Sequence, residues 1–134
     1  MRYTLSKIEK LKSEIQIKSV FQSGLKSNKY PIRANWNFLE IDTSVKVLFG
    51  APKKNLKVAP HRNKVKRLMR EAYRLNKHSL IEMCLRRNVK IGVSFIYIGN
   101  EIPTFEYIST KMTILLEQLI ADIEENTQTN EQEN

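Results

Sequence analysis

The residues of this chain that could do chemistry are concentrated in residues 60–77, which read P-H-R-N-K-V-K-R-L-M-R-E-A-Y-R-L-N-K. On an α-helix, at about 100° per residue, the apolar side chains fall on one side and the cations gather on the other. A solvated helix face usually mixes charges of both signs, whereas here only Glu71 interrupts the basic side. The pattern favours a polyanion-binding face, with a merely solubilising face as the alternative. The apolar side holds Val65, Leu68, Met69, Ala72 and Leu75, and the basic side Asn63, Lys66, Arg67, Arg70, Arg74 and Lys77.

The beginning of this helix carries groups that suit phosphate. Arg62, Asn63 and Lys64 bring a guanidinium, an amide and an ammonium to the end where backbone N–H groups lack helical partners. Arginine can bind phosphate through two parallel hydrogen bonds, and lysine attracts it as a point charge. Lys53 and Lys54 stand shortly before the helix and extend the positive charge.

The charge of the whole chain is concentrated in the same region. Residues 53–90 hold 13 Lys and Arg and two acids, a net charge of +11, and the remainder holds 10 Lys and Arg and 12 acids, a net charge of −2. A patch of this kind attracts phosphate polymers through counterion release and long-range steering. The partner indicated is therefore a nucleic acid.

The other reactive residue types do not form a catalytic or metal-binding pattern in the sequence. His61 and His78 stand at opposite ends of the basic helix, and the single cysteine, Cys84, lies in an apolar run and is predicted to be core. No zinc pattern, glycine-rich phosphate loop or nucleophile with its base is present. A binding role is favoured over catalysis by this chain, and no metal site is expected. Without a signal-like segment or an apolar run of membrane-spanning length, a cytoplasmic location is expected.

Periodicity predicts a single α+β domain over residues 13–124, a two-layer sandwich of about four strands with packed helices. The predicted elements are a helix over 13–23, strands over 30–41 and 45–51 paired as a hairpin, the basic helix, a short helix over 78–87, a doubly covered strand over 89–98, and a leucine-rich helix beginning near residue 103. Residues 1–12 are predicted to be flexible and residues 125–134 to form a disordered acidic tail.

One aromatic side chain outside the basic helix is a candidate for contact with an unpaired nucleic-acid strand. Phe21, on the first helix, could stack on a base or belong to the core. Arg33 and Asn35 alternate with apolar residues on the first long strand, so they are predicted to point away from the core.

The run from Arg62 to Ala72, R-N-K-x-K-R-x-x-R-E-A, preceded by Lys53-Lys54 and a short apolar connector, resembles the signature of the protein subunit of bacterial ribonuclease P. That signature is R-N-R-x-K-R-x-x-R-E after a strand that ends in Lys-Lys. The resemblance covers roughly residues 11–123. It implies a central sheet with a left-handed βαβ crossover, a topology shared with a ribosomal-protein domain.

The resemblance also implies a function. Ribonuclease P removes the 5′ leader of precursor transfer RNA, and its catalysis and its Mg²⁺ ions are expected mainly in the RNA subunit. This chain would bind that RNA and hold the leader, so the enzyme would be a ribonucleoprotein endonuclease. The implied partners are the RNA subunit and precursor transfer RNA, with no membrane and no protein partner required.

Position by position, the resemblance assigns RNA contacts to the basic helix and leader contacts to residues around it. Two positions depart from the family pattern: Lys64 stands where Arg is usual, and Ile17 stands where many members have Phe. The expected RNA-binding residues are Arg62, Asn63, Lys64, Lys66, Arg67, Arg70 and Arg74. The expected leader-binding residues are Phe21, Ile17, Lys53, Lys54, Arg33 and Asn35.

Two alternatives share the basic helix. One is a general RNA-binding or ribosome-associated module with no part in transfer-RNA processing. The other is a DNA-binding or membrane-surface protein, in which Phe21 and the Lys53-Lys54 pair would have no assigned role.

Overall fold

The computed structural model describes the chain from Glu9 to Glu133, and side chains as far as Thr127. The predicted α+β fold with a four-stranded sheet is confirmed. The elements in chain order are α1 (Glu14–Gln22), β1 (Lys26–Lys29), β2 (Ile32–Phe38), β3 (Val45–Gly50), α2 (Ala59–Asn76), α3 (His78–Arg87), β4 (Ile91–Tyr97) and α4 (Phe105–Glu133).

The strand order is β1-β2-β4-β3, with the predicted doubly covered strand, β4, in the interior of the sheet. β4 lies between β2 and β3, antiparallel to the first and parallel to the second, so the predicted β2–β3 hairpin is wrong. The hairpin is instead β1–β2, in which Lys29 pairs with Ile32. Nearly all side chains of β4 are buried, as expected for a strand in the interior of a sheet that is covered on both faces.

The parallel strands β3 and β4 are joined through α2 and α3. This connection is the βαβ crossover that the resemblance implies, and its left-handedness stays a prediction. The main core lies between the sheet and the helices α2 and α4. Its strand side chains include Trp36, Val47, Val93 and Phe95, each at most 2% exposed.

α1 lies on the opposite face of the sheet, because the side chain it binds, Asn37, alternates with the core-facing Trp36 and Phe38. Asn37 Nδ2 donates to Ser19 Oγ at 2.9 Å. Gly92 lies under this helix, where an added Cβ would approach Val20 Cγ2 to 3.0 Å. The predicted cap of α1 is confirmed, since Ser13 Oγ accepts from Gln16 N at 3.4 Å.

Both ends of the chain differ from the expected flexible segments. Residues 1–8 of the predicted flexible start lie outside the described residues, but Lys10 bridges to Val47 and Leu11 is buried, its N–H donating to the Val47 carbonyl at 2.8 Å. At the other end α4 continues to Glu133, through most of the predicted disordered tail. Thr127 there is buried and its hydroxyl donates to the Ile123 carbonyl, so the helix gains packing that composition does not reveal.

Candidate nucleic-acid interface

The two sides of α2 face the directions that its sequence predicts, with two exceptions. Val65, Met69, Ala72 and Tyr73 are buried against the sheet and α4. Leu75, predicted to be on the apolar side, is 42% exposed. Lys77, predicted to be on the basic side, is only 2% exposed, and its ammonium is hydrogen-bonded to both carboxylate oxygens of Glu9 at 2.9 and 3.1 Å. Its charge is therefore neutralised by Glu9 and does not add to the basic side of the helix. Asn63, Lys64, Arg67 and Arg70 are exposed, and Arg62, Lys66 and Arg74 are partly exposed.

Arg62 is held at the beginning of α2 by the connector that precedes the helix. Its Nη1 donates to the carbonyls of Leu56 at 2.9 Å and Lys57 at 3.0 Å. One side of the guanidinium is thus fixed, which orders it beside a helix start where Val58 provides no side-chain cap. Its other N–H groups remain suited to an anion, and less entropy is lost when a pre-ordered side chain binds.

The described ion pairs separate the twelve cations of residues 53–87 into two groups. Glu71 pairs with Arg74, whose hydrogen bond lowers the pKa of the Glu71 carboxyl. Glu124 is 2.9 Å from Arg87 and 3.9 Å from Arg86, and Glu9 takes Lys77. Between residues 53 and 70 the chain has eight Lys and Arg and no acid, and the described residues offer these eight no carboxylate within 4.0 Å. We call them the basic surface: Lys53, Lys54, Lys57, Arg62, Lys64, Lys66, Arg67 and Arg70.

An aromatic cluster positions the last member of the basic surface. The Arg70 guanidinium lies 5.9 Å from the centre of the Phe49 ring, a cation–π arrangement. Phe49 in turn stacks on Phe95 and meets the edge of Tyr73, with centroid distances of 5.6 and 5.8 Å. Arg70 is therefore held over the end of β3 by a ring that the core itself fixes.

Two cations that lie beside Arg70 were not among the predicted site residues. Lys10 and Lys12 line a cavity of about 230 Å³ along the outer edge of β3, together with Phe49 and Arg70. They are placed there by the bridge between Lys10 and Val47. The signal in the sequence is the alternation K-L-K over residues 10–12, in which a buried Leu11 stands between two lysines.

Lys53 and Lys54 are exposed in the turn that joins β3 to α2. The turn is fixed by the bonds from Asn55 N and Leu56 N to the Pro52 carbonyl, and by Asn55 Nδ2, which donates to the Ile98 carbonyl at 3.0 Å. Both lysines therefore lie at the edge of the sheet where β3 and β4 end.

The remaining predicted residues belong to the sheet face that carries α1. Phe21 is 42% exposed, Ile17 is partly buried, and Arg33 is exposed. Asn35 is only 5% exposed, so it is not the open outward-facing side chain that the strand pattern suggested. Its partner in β4 is Ser94, which is also buried, because a strand face that carries a helix does not present all its polar residues to solvent.

The residues that the structure describes do not support a metal site or a reactive thiol. They contain no group of three or more His, Cys, Asp or Glu side chains that could hold a metal ion. Burial of Cys84, as predicted, raises the pKa of its thiol to about 12, so it is not a reactive thiolate. Within the same range, none of the helices has the length and apolar character needed to cross a membrane.

Comparison with known proteins gives a consistent family relationship. Residues 5–118 match the family model described as Ribonuclease P. The ribonuclease P protein components of two Porphyromonas gingivalis strains are 31% and 33% identical to this chain, and each alignment covers 96% of both sequences. That of Chlorobium phaeobacteroides is 30% identical over 87% of this chain and 88% of the relative.

Solved structures show the same fold. The Staphylococcus aureus RNase P protein superposes with a TM-score of 0.65 at 15% identity, covering 81% of this chain and 93% of that one. A mutant of it, described as defective in mRNA degradation activity, gives a TM-score of 0.67 at 16% identity over 83% and 87% of the two chains. At these identities the likeness concerns the arrangement of helices and strands.

Proposed function

The chain belongs to the ribonuclease P protein component family, whose role is transfer-RNA 5′ processing, and we propose that it binds the ribonuclease P RNA subunit through its basic surface. The observation that supports this most directly is the run of eight cations with no carboxylate beside them among the described residues. A cation that already pairs with a carboxylate of the protein would gain little binding free energy from a phosphate. Unpaired ones release counterions from RNA when they bind.

The sheet face that carries α1 is proposed to hold the 5′ leader of precursor transfer RNA. Phe21 presents an exposed ring and Arg33 an exposed guanidinium, which suit base stacking and phosphate contact respectively. Ile17 offers apolar contact only. Lys53 and Lys54 extend this binding to the edge of the sheet, while Asn35, being buried, would support the strand more than touch the RNA.

Catalysis is proposed to occur in the RNA subunit, which would also hold most of the Mg²⁺. The described residues of this chain do not fit a metal site, so no reaction step is assigned to them. Their contribution is electrostatic: cations placed beside phosphates lower the repulsion between RNA subunit and substrate, so less Mg²⁺ is needed to bring them together. A cytoplasmic location belongs to the same proposal.

The test is cleavage of precursor transfer RNA by the cognate RNA subunit, with and without the protein, over a range of Mg²⁺ concentrations. We expect the protein to shift half-maximal cleavage to lower Mg²⁺. If correctly folded protein leaves the Mg²⁺ dependence and the cleavage rate unchanged, the proposal is wrong.

A second measurement separates this function from general RNA binding. RNA that copurifies with the protein should be dominated by one structured species. Recovery of many unrelated RNAs in equal amounts would instead support a general RNA-binding or ribosome-associated module.

A further inference from the structure

A pocket of about 330 Å³ lies at one end of the sheet, away from the helix-covered faces, and its lining includes three tyrosines. Tyr30 comes from the β1–β2 turn, Tyr97 from the end of β4 and Tyr107 from the first turns of α4. Gly99 to Pro103, in the loop between β4 and α4, form the remaining wall with Pro31. We call this site the tyrosine pocket.

Two of the tyrosine rings are available to a ligand. Tyr30 is 61% exposed and Tyr107 is 43% exposed, whereas Tyr97 is only 4% exposed. Large exposed aromatic rings lose contact with water when they stack on another flat ring, so a paired arrangement around one cavity favours a planar apolar ligand. The volume is at the lower end of the range of about 300–1,000 Å³ usual for small-ligand pockets.

The inner wall of the pocket is rigid. The Tyr97 hydroxyl donates to the Glu101 carbonyl at 2.5 Å, which closes the loop over the ring. Gly99 permits this contact, because an added Cβ would lie 2.6 Å from Tyr97 Cζ. Burial raises the pKa of Tyr97, with further contributions from Tyr30, Tyr107 and Glu101.

The surroundings favour a nucleic acid over other planar ligands. The Lys111 ammonium lies 5.3 Å from the centre of the Tyr107 ring. Ile98, which directly precedes the pocket residue Gly99, accepts the hydrogen bond from Asn55 in the Lys53-Lys54 turn. The pocket therefore lies at the same end of the sheet as the Lys53-Lys54 turn of the basic surface.

We propose that the tyrosine pocket binds an unpaired nucleobase of the RNA held by the basic surface, stacked on Tyr30 and Tyr107. This inference rests on the proposed function and adds a base-binding site separate from the α1 face. Stacking on aromatic rings tolerates any base, because each base has a π-face. Glu101, one of the lining residues, carries a carboxylate that can accept from an exocyclic amino group, so adenine, cytosine and guanine fit better than uracil.

The test uses the full chain labelled with 3-fluorotyrosine, with ¹⁹F signals assigned by single Tyr→Phe variants. The probes are a short oligoadenylate and an abasic oligomer of the same length and charge. We expect the Tyr30 and Tyr107 signals to shift with oligoadenylate and to stay in place with the abasic chain. Replacing both by leucine (Y30L and Y107L) should weaken oligoadenylate binding about tenfold, while the two Tyr→Phe changes, which keep the rings, should not.

Backbone amide signals of α2, measured in the same titrations, separate this inference from the proposed function. If the α2 signals move and the two tyrosine signals do not, RNA binds the basic surface and the pocket assignment is overturned. Equal tyrosine shifts with the abasic chain would also overturn it, since charge alone would then explain them. An uncharged proline-rich peptide is a third probe. If it shifts the tyrosine signals and RNA does not, the pocket binds a protein ligand and the inference is overturned. If neither set of signals responds to oligoadenylate, the pocket assignment fails, and the cleavage test decides the proposed function separately.

Discussion

Arg67 and Arg74 lie two helical turns apart on the same side of α2, but their surroundings differ. Arg74 is hydrogen-bonded to Glu71 through Nε at 3.0 Å and through a second nitrogen, whereas Arg67 has no carboxylate within 4.0 Å among the described residues. The sequence places both on one basic side and cannot tell them apart, because the i,i+3 pairing depends on rotamers. We therefore expect Arg67 to contribute more than Arg74 to RNA binding.

The salt dependence of RNA binding tests Arg67 directly. Each phosphate contact contributes about 0.7–0.9 to the slope of log K against log salt concentration. Arg67→Ala should flatten that slope by about one contact, measured by filter binding to the RNA subunit over a series of salt concentrations. Arg86→Ala is the matched control, because Arg86 is exposed on α3 with its charge near Glu124. A slope equal to that of the unmodified protein would exclude Arg67 from the interface.

Helix and strand periodicity was sufficient to predict most elements but not their order in the sheet. α1, α2, α3, β2, β3, β4 and the beginning of α4 all follow the predicted segments. β1 was missed because its sequence, K-S-N-K, has no apolar residue and its one buried side chain, Ser27, bonds to Asp122 of α4. The interior position of β4 agrees with the doubly covered strand predicted over 89–98, whereas the short turn at residues 42–44 favours a β2–β3 hairpin that does not form.

The attachment of the N-terminal segment could not be predicted from the sequence either. Glu9 and Lys77 are 68 residues apart in the sequence, and a lysine at the end of a basic helix gives no sign that it will be enclosed. In the structure this pair, with the Lys10–Val47 bridge, attaches the segment to α2 and β3. Lys10 and Lys12 are thereby brought beside Arg70, so the ion pair also helps to form the cavity that these three cations line along β3.

Removing Lys77 should destabilise the fold. In Lys77→Met the Glu9 carboxylate, 18% exposed, would keep its charge without the ammonium, and breaking one member of a buried pair costs about 3–5 kcal/mol. The loss should fall in the lower part of that range, since Glu9 is partly exposed. Urea unfolding followed by fluorescence of the single tryptophan, the buried Trp36, measures it.

The double variant Glu9→Gln with Lys77→Met is the decisive comparison. It should be less destabilised than Lys77→Met alone, because no unpaired charge remains. Lys90→Met, at an exposed site, should change stability little. Additive effects of the two single changes would show that Glu9 and Lys77 are not energetically coupled.

The charge of the entire molecule is as informative as its individual contacts. The excess of +11 over residues 53–90 was readable from the sequence, and so was the location of the basic surface. In the fold, Glu9, Glu71 and Glu124 pair with cations of α2 and α3, and the eight cations of the basic surface have no carboxylate partner among the described residues. The tyrosine pocket had no signal in the sequence, because its three rings come from separate elements.

Eight neighbouring cations repel one another in the native state, so an anion that binds them should stabilise the fold. Sulfate also stabilises proteins generally by exclusion from their surfaces, and that effect has to be separated from binding. The comparison is therefore between two charge-reduced variants: Lys66→Gln with Arg67→Gln, inside the basic surface, and Arg86→Gln with Lys90→Gln, outside it. General exclusion acts equally on both, so any difference in their response to sulfate comes from the basic surface.

Thermal unfolding with increasing sulfate provides the measurement. The unmodified protein and the Arg86, Lys90 variant should show the larger rise in Tm, and the Lys66, Arg67 variant a rise smaller by about 3 °C. That difference corresponds to about 1 kcal/mol of binding energy for a domain of this size. Equal rises in the two variants would mean that the basic surface does not bind sulfate, and that repulsion among its cations is already relieved by solvent and salt.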